Sequence, residues 1–520
     1  MGIPKLKPTI IIAGPGAGKT HNMVEKIIKE LPGLSPCRYM AVITYTNAAT
    51  ANIQSRLAKK INIPENVFIG TIHAFLNKFV ILPFASMSGN NIGKEKLFIQ
   101  MGIDDVFNHI EKNKAKDKRA DTIQAKNALK SKITDRLNAR GYITFDQTLS
   151  IAKKCFEHKQ ICKILANRLQ NLFVDEFQDA DNHVFSIIEN LRKLHKTIIY
   201  CVGDPEQYIQ SFDSTIRLFS HIPILKAAAT NTYNIEINPS NYRCDGNIIR
   251  FLNHFNGRTF QNNKFQQLPA SKNEEEKQEG EPVCFIPAHT HVTDMLENFY
   301  KKCELLNIQH NNRCIIAKRK ELVERITAAV NYIYKNPGKA TNVRPVKIIQ
   351  EALLTSLNLK ATEFLEKYQT DNHGLRKYAL RIFNAVNAKE ITDTNSYGKF
   401  VTEVLGLEIK NALPIKIQDL RFQNKSLSGD STVTVATIHT IKGLESQAIL
   451  AIAKNEAELL LWIEKDIAIR EAKRTSETTD YPRLGYVAFS RAEKLLCIAC
   501  LQKISDATIL KLSALGVTIR

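Results

Sequence analysis

Apolar runs of strand length alternate with helix-patterned stretches over residues 8–85. PTIIIA is followed by HNMVEKIIKEL, YMAVITYT by ATANIQSRLAKKI, and NVFIGTIHAF closes the series. Strands that recur between amphipathic helices need crossover connections, so the pattern predicts a parallel α/β sheet. From about 88 to 165 the strand signal fades, and helical spacing with many basic residues replaces it. It returns at NLFVDEF and TIIYCVGD, so 88–165 interrupts one domain rather than starting another. The polar stretch SKNEEEKQEGEP over 271–282 reads as a surface loop. PVCFIPA and RCIIAK then open new strands, 326–425 reads as helical, and TVTVATIH and AILAIA restore strand character to the end. The expected fold is α/β, with two parallel-sheet domains that each carry a helical insertion. The expected boundaries are 1–87 with 166–240 for the first sheet domain and 88–165 for its basic insertion. The second sheet domain is expected over 241–325 with 426–520, and its smaller insertion over 326–425. No internal repeat at a fixed period is visible.

Two local patterns carry chemistry. Ala13-Gly14-Pro15-Gly16-Ala17-Gly18-Lys19-Thr20 follows Ile10-Ile11-Ile12 and opens a helical stretch. Strand, glycine-rich turn, Lys-Thr and helix together describe a phosphate loop. The segment from Gly14 through Pro15, Gly16, Ala17 and Gly18 would cradle phosphates, Lys19 would reach the β- and γ-phosphates, and Thr20 would hold Mg2+. Ala13 stands where the generic pattern has glycine, and a small residue suffices there. The second pattern, Leu172-Phe173-Val174-Asp175-Glu176, is an apolar strand ending in two acids. Asp175 suits Mg2+ ligation, and Glu176 suits orienting an attacking water as a base.

Composition narrows the partners. With 72 Lys+Arg against 52 Asp+Glu, the net charge is +20, which points to a polyanion. Residues 111–140 hold ten Lys/Arg against four acids, which reads as a solvated helical face or as phosphate-backbone contact. No apolar stretch approaches the ~20 residues that span a bilayer, no membrane partner is expected, and the N-terminus lacks a signal-peptide layout, so a cytoplasmic protein is expected. Of the ten cysteines only Cys497 and Cys500 form a CxxC, which reads as two thiols in a core strand. The segment within 455–480 containing AELLLWIEKDIAIREAKR reads as one long amphipathic helix, buried in the core or docking a partner subunit.

The phosphate loop and seven further motifs, in order, resemble those of the superfamily 1A helicases of the UvrD/Rep/PcrA type. Beside the phosphate loop, Ile43-Thr44-Tyr45-Thr46-Asn47 resembles motif Ia and Gly70-Thr71-Ile72-His73-Ala74-Phe75 motif Ib. VDEFQD resembles motif II, Val202-Gly203-Asp204-Pro205-Glu206-Gln207 motif III, and Asn241-Tyr242-Arg243 motif IV. Thr437-Ile438-His439-Thr440-Ile441-Lys442-Gly443-Leu444-Glu445 resembles motif V, and Tyr486-Val487-Ala488-Phe489-Ser490-Arg491-Ala492 motif VI. The resemblance implies two RecA-like domains that hydrolyse ATP with Mg2+ and drive 3′ to 5′ movement on single-stranded or tailed DNA. It implies that Gln207 senses the γ-phosphate and that Arg243 and Arg491 are arginine fingers. Tyr242 would stack on adenine and Glu445 would touch the ribose. Tyr45, Thr46, Asn47, Thr71, His73, Phe212, Thr437 and His439 would line the strand track.

The chain departs from that family in several places. The glutamine that reads adenine has no room ahead of Ala13, which implies loose nucleotide preference. Ala48 stands for the usual lysine of motif Ia, and Gln210-Ser211-Phe212-Asp213 replaces the usual aromatic and arginine of motif III. Both departures imply weak or partner-dependent unwinding. The compact layout resembles the helicase-like subunit (GajB type) of Gabija-like antiphage systems, which implies an OLD-type nuclease partner in a hetero-oligomer. A DNA-sensing ATPase subunit that activates such a nuclease is the alternative to a free-standing helicase.

Overall fold

The computed structural model describes residues 7–87, 92, 98–99, 123–210, 218–271, 279–287, 291–334, 345–388, 390–414, 417, 433–471 and 480–519. The backbone forms two compact units. One holds Met1–Ala329 with Val433–Arg520, and the other holds Val330–Thr432.

The larger unit contains two six-stranded sheets. In the first, β1 (Thr9–Ala13), β2 (Tyr39–Thr44), β3 (Val67–Thr71), β4 (Leu169–Val174), β5 (Ile198–Gly203) and β6 (Asn234–Asn238) lie in the order β3-β2-β4-β5-β1-β6. In the second, β7 (Cys284–Ile286), β8 (Arg313–Ala317), β9 (Thr434–Thr437), β10 (Ser446–Ala453), β11 (Ala492–Cys500) and β12 (Thr518–Ile519) lie in the order β9-β8-β10-β11-β7-β12. Every neighbouring pair in both sheets is parallel. Counting strands within each sheet, both orders are 3-2-4-5-1-6, so the two α/β domains share one topology that no sequence period announces.

The helices of the first sheet follow from local signals. α1 (Lys19–Glu30) starts at Gly18, whose φ of 69° is left-handed, and buries Met23, Val24 and Ile27 along one stripe. α2 (Asn47–Ala58) and α3 (Ile72–Leu76) are capped by Thr46 and Thr71, whose side chains accept the Ala49 and Ala74 N–H groups. α4 (Phe145–Glu157) and α5 (Lys159–Arg168) put Ile151, Ala152, Cys155, Phe156, Ile161 and Leu165 into the same apolar core as Ile12, Ile43 and Leu172. The last helices of the stretch read as an insertion thus belong to the first sheet's core. Residues 111–122 of the basic run lie outside the described residues.

Around the second sheet, α7 (Ile438–Ile441) is capped by Thr437, and α6 (Asn182–Arg192) packs on the first sheet. The single long helix expected over 455–480 is corrected. Its described part is two short helices, α8 (Glu456–Trp462) and α9 (Ile467–Arg470), each capped by an Asn or Asp side chain. Asp466 supplies the second cap, and a fresh N-terminus there ends continuity with α8. Residues 472–479 lie outside the described residues. Next comes α10 (Tyr481–Phe489), every residue of which is buried. Gly485 lets α10 approach Trp462, because a Cβ there would sit 2.5 Å from the Trp462 carbonyl oxygen. Cys497 and Cys500 are both buried in β11, as expected of core thiols.

Trp462 is fully buried and meets Phe489 edge-on at 6.3 Å. Trp462→Ala is expected to cost about 3–5 kcal/mol of unfolding free energy, the usual range for a large aromatic deleted from a core. Denaturant unfolding followed by circular dichroism checks this, and a cost below about 1 kcal/mol would contradict the packing described.

The smaller unit is helical, with helices at Pro345–Leu357, Ala361–Lys367, Asn372–Asn387 and Thr394–Lys399. Its core is its own: Leu353, Phe364, Ile382, Val386, Tyr397 and Val401 among others. No helix among the described residues is long and apolar enough to cross a membrane.

Candidate functional site

In a parallel sheet the loops that follow the strands emerge at one edge, where α/β proteins place their ligands. Across that edge of the first sheet, β3 delivers Thr71, β2 delivers Tyr45 and Thr46, β4 delivers Asp175, β5 delivers Asp204, and β1 delivers the phosphate loop. Two groups of candidates thus share one edge. The nucleotide candidates occupy β4, β5 and β1, and the strand-track candidates occupy β3 and β2.

The phosphate loop is held open by its glycines. Gly16 has φ 74°, and a Cβ there would collide with Asn241 and Arg243. The Gly16 carbonyl accepts the Tyr242 N–H at 2.8 Å, and the Asn238 side chain donates to the Ala17 carbonyl at 3.1 Å. Lys19 Nζ donates to the Ala13 carbonyl at 3.4 Å and lies 3.8 Å from Glu176 Oε2. The loop and the N-terminus of α1 together direct backbone N–H groups and a lysine at one place, which is the chemistry of phosphate binding.

Glu176 adopts φ 48° and ψ 46°, a left-handed conformation that costs a non-glycine residue about 1–3 kcal/mol. Its Oε2 accepts the Gln178 amide at 2.6 Å. Burial opposes its charge, but Lys19 and Lys442, with the Gln178 amide and Arg491, outweigh burial and hold its pKa down at about 2. Asp175 is pushed the other way, to about 7, by burial and by Glu176 beside it. A buried carboxylate whose charge is so poorly compensated suits a hard divalent cation such as Mg2+. No group of three or more His, Cys, Asp or Glu side chains that could hold a metal ion by itself occurs among the described residues.

The second sheet contributes from the N-terminal ends of its strands. Glu445 and Arg491 immediately precede β10 and β11, and the Ser446 N–H donates to the Arg491 carbonyl at 3.1 Å. Arg491 is buried, and its Nη2 donates to Gln207 Oε1 at 3.0 Å. Burial and the nearby Arg243 lower its pKa to about 10, which leaves it charged at neutral pH. Gln207 in turn donates to Asp204 Oδ2 at 2.8 Å. Arg243 donates to Glu445 Oε2 at 2.6 Å and to the Ser490 carbonyl at 3.0 Å. Tyr242 is 40% exposed, and its ring lies beside Gly18. Lys442 grips both oxygens of Asp179 at 2.7 Å. The structure thus gathers Lys19, Thr20, Asp175, Glu176, Gln207, Arg243, Glu445 and Arg491 around the phosphate loop and the two acids.

The strand-track candidates are less uniform. Thr46 and Asn47 are exposed at the start of α2, and Thr71 caps α3. Thr437 caps α7 from the second sheet, and its hydroxyl lies 2.8 Å from that of Thr440. His439 Nε2 is 3.3 Å from the Ile209 carbonyl. Burial keeps His73 and His439 biased toward the neutral form. Tyr45 packs partly against the first core, with its hydroxyl buried. Phe212 lies outside the described residues.

Sequence reasoning missed several contributors. Phe145, 42% exposed at the start of α4, meets His73 edge-on at 6.2 Å. Gln178 joins Glu176 to the Asp204 N–H, which its Oε1 accepts at 3.0 Å. Gln267 packs on Gly14, donates to the Tyr486 hydroxyl at 2.9 Å and accepts from Asn241 at 2.5 Å. Gln178, like Lys442 and Asp179, lies inside a quoted motif and so had a signal, whereas Phe145 and Gln267 had none.

Residues 3–213 match the AAA domain family AAA_19. The chain is 23% identical to the Gabija protein GajB of Bacillus cereus (strain VD045), over 96% of this chain and 94% of that protein. It is 22% identical to a probable DNA helicase II homolog of Mycoplasma genitalium, over 96% of this chain and 84% of that protein. It is 26% identical to the ATP-dependent DNA helicase Rep of Buchnera aphidicola from Acyrthosiphon pisum, over 47% of this chain and 42% of that protein. With eight motifs in order and two parallel sheets framing the phosphate loop, these matches support the resemblance to the UvrD/Rep-like superfamily 1A helicases.

Proposed function

We propose that the chain is an ATP-dependent 3′ to 5′ DNA translocase and helicase that acts on single-stranded or partly duplex DNA in repair or phage defence. The observation that carries this reading is the meeting of Arg491, from the N-terminal end of β11, with Gln207 from the end of β5. A triphosphate at Lys19 would then be contacted from both sheets, so its hydrolysis alters how the two sheets are held together. In this reading Lys19 and the loop glycines bind the phosphates, and Tyr242 and Glu445 hold the nucleoside. Glu176 accepts the proton of the attacking water, and Gln207, Arg243 and Arg491 balance the charge that develops on the transferred phosphoryl group. Thr20 and Asp175 would hold Mg2+, which supplies charge neutralisation on the phosphate oxygens.

Across the same edge, Thr46, Asn47, Thr71 and His73, with Phe212, Thr437 and His439, would follow the DNA strand. The net charge of +20 suits a polyanion. Phe145 joins them in this proposal. Phe145→Ala is expected to weaken single-stranded DNA binding by about 1–3 kcal/mol, the worth of one base–aromatic stack. Fluorescence anisotropy with a labelled oligonucleotide checks this, and an unchanged Kd would remove Phe145 from the track.

The direct experiment is an ATPase titration with single-stranded, duplex and tailed DNA, paired with strand separation on 3′- and 5′-tailed duplexes. Single-stranded DNA should stimulate turnover and 3′ tails should support unwinding. Turnover indifferent to DNA would end the proposal. One observation favours a second reading: the match covers 94% of GajB, against 84% of the helicase II homolog and 42% of Rep. In that reading the chain is a DNA-sensing ATPase subunit that licenses an OLD-type nuclease. Strand separation that appears only when such a nuclease is added would select it.

A further inference from the structure

Beside the nucleotide candidates lies a buried charge cluster that the proposed mechanism does not use. Its centre is Glu206, one residue before Gln207 in the turn Pro205–Gln207. Glu206 Oε1 accepts Arg258 Nε at 3.1 Å, and Oε2 accepts Arg470 Nη2. Arg483, in the first turn of α10, donates to the Arg470 carbonyl and stacks on Phe219, 3.2 Å from the ring centre. Arg258 lies over the same ring at 4.6 Å, and its Nη1 reaches Glu471 at 2.6 Å. Three arginines thus surround one fully buried glutamate and one half-exposed one. Burial opposes the Glu206 charge, but the arginines hold its pKa at about 2, while burial lowers that of Arg483 to about 9. Two Arg483 nitrogens, Nε and Nη1, are buried with no hydrogen-bond partner among the described residues.

The cluster lies along α10. Near the start of that helix, Arg483 and Arg470 are tied to Glu206 and Phe219. Midway, the Tyr486 hydroxyl donates to Asp204 Oδ2 at 3.4 Å. Just past its end, Arg491 donates to Gln207. Consecutive residues of one turn therefore hold opposite ends of one helix. The Gln207–Arg491 contact must compete with a phosphoryl group if both residues act as proposed. The Glu206 contacts face other partners and stand outside that competition.

We infer that Glu206 is a positioning residue for hydrolysis: its carboxylate, bridging Arg258 and Arg470 beside Arg483, keeps α10 seated on the Pro205–Gln207 turn while Gln207 and Arg491 engage the phosphate. The inference rests on the ATPase reading above. Removing the charge leaves three arginines mutually repelling in a buried site, with Glu471 beside Arg258 and Asp480 near Arg483 as the remaining acids. The start of α10 then lifts, and Arg491 moves with it. Misplacement of a reacting group by about 1 Å can cost about 100-fold in rate.

The test compares wild type, Glu206→Gln and Glu206→Asp for DNA-stimulated turnover, for the Kd of a fluorescent ATP analogue, and for melting temperature. Glu206→Gln should lower kcat by about 10–100-fold with the analogue's Kd within about threefold of wild type. Glu206→Asp, which keeps the charge, should recover part of the loss. If Glu206→Gln does not fold, Arg258→Met, which removes one partner at the more exposed rim, should show the same split between kcat and Kd. An inactive wild type would defeat the ATPase reading itself. An active wild type matched by a folded Glu206→Gln would overturn this inference alone. So would a Kd that weakens in step with kcat, or a Glu206→Asp no better than Glu206→Gln.

Discussion

Arg491→Ala is expected to lower kcat for DNA-stimulated ATP hydrolysis by about 10³-fold or more, the effect of removing an arginine finger. Its guanidinium is buried and approaches Gln207 from the second sheet, so its charge is little screened by solvent. Arg491→Lys should restore little, because a lysine offers a point charge where Arg491 uses several separate nitrogens on the Val487 and Leu444 carbonyls, Ser490 and Gln207. Truncation also leaves the Gln207 carbonyl oxygen without this donor, so some stability is lost as well. Single-turnover hydrolysis and a melting curve separate the two effects. A folded Arg491→Ala protein turning over within threefold of wild type would remove this residue from the catalytic set.

Glu176→Gln should reduce kcat by about 10²–10⁴-fold, the range for loss of a positioned general base. The amide keeps the size of the side chain and can still accept from Gln178, so the strained turn at 176 should survive. ATP binding should persist or tighten. The surrounding cations Lys19, Lys442 and Arg491 lose the carboxylate they stabilise, and a bound triphosphate supplies the missing negative charge. A fluorescent ATP analogue measures the affinity and phosphate release measures kcat. If affinity and rate fall together, Glu176 organises the site rather than taking the proton.

What the sequence made legible was local. The phosphate loop needs a strand, glycines able to take positive φ, and Lys-Thr at a helix start, all within a dozen residues. The two acids need only a strand to end beneath them. The alternation of strands and helices likewise announced two parallel sheets. The threonines of motifs Ia, Ib and V were legible as strand-track candidates, and each proves to cap the helix that follows its strand. Where the reading erred, a neighbour in space decided the outcome. The amphipathic stretch after motif V reads as one helix, yet Asp466 caps a new one, and the buried Trp462 and Arg470 turn toward different partners.

The sequence by itself therefore determined the chemistry of each short motif, because the residues concerned are neighbours along the chain and their spacing is their geometry. Only the tertiary structure decided that both sheets share one strand order, and that Arg491 meets Gln207, Lys442 meets Asp179 and Arg470 meets Glu206. Those pairs are separated by 284, 263 and 264 positions. No periodicity or spacing reaches that far, and what joins such residues is the packing of two sheets that brings the loops following the first against the loops preceding strands of the second.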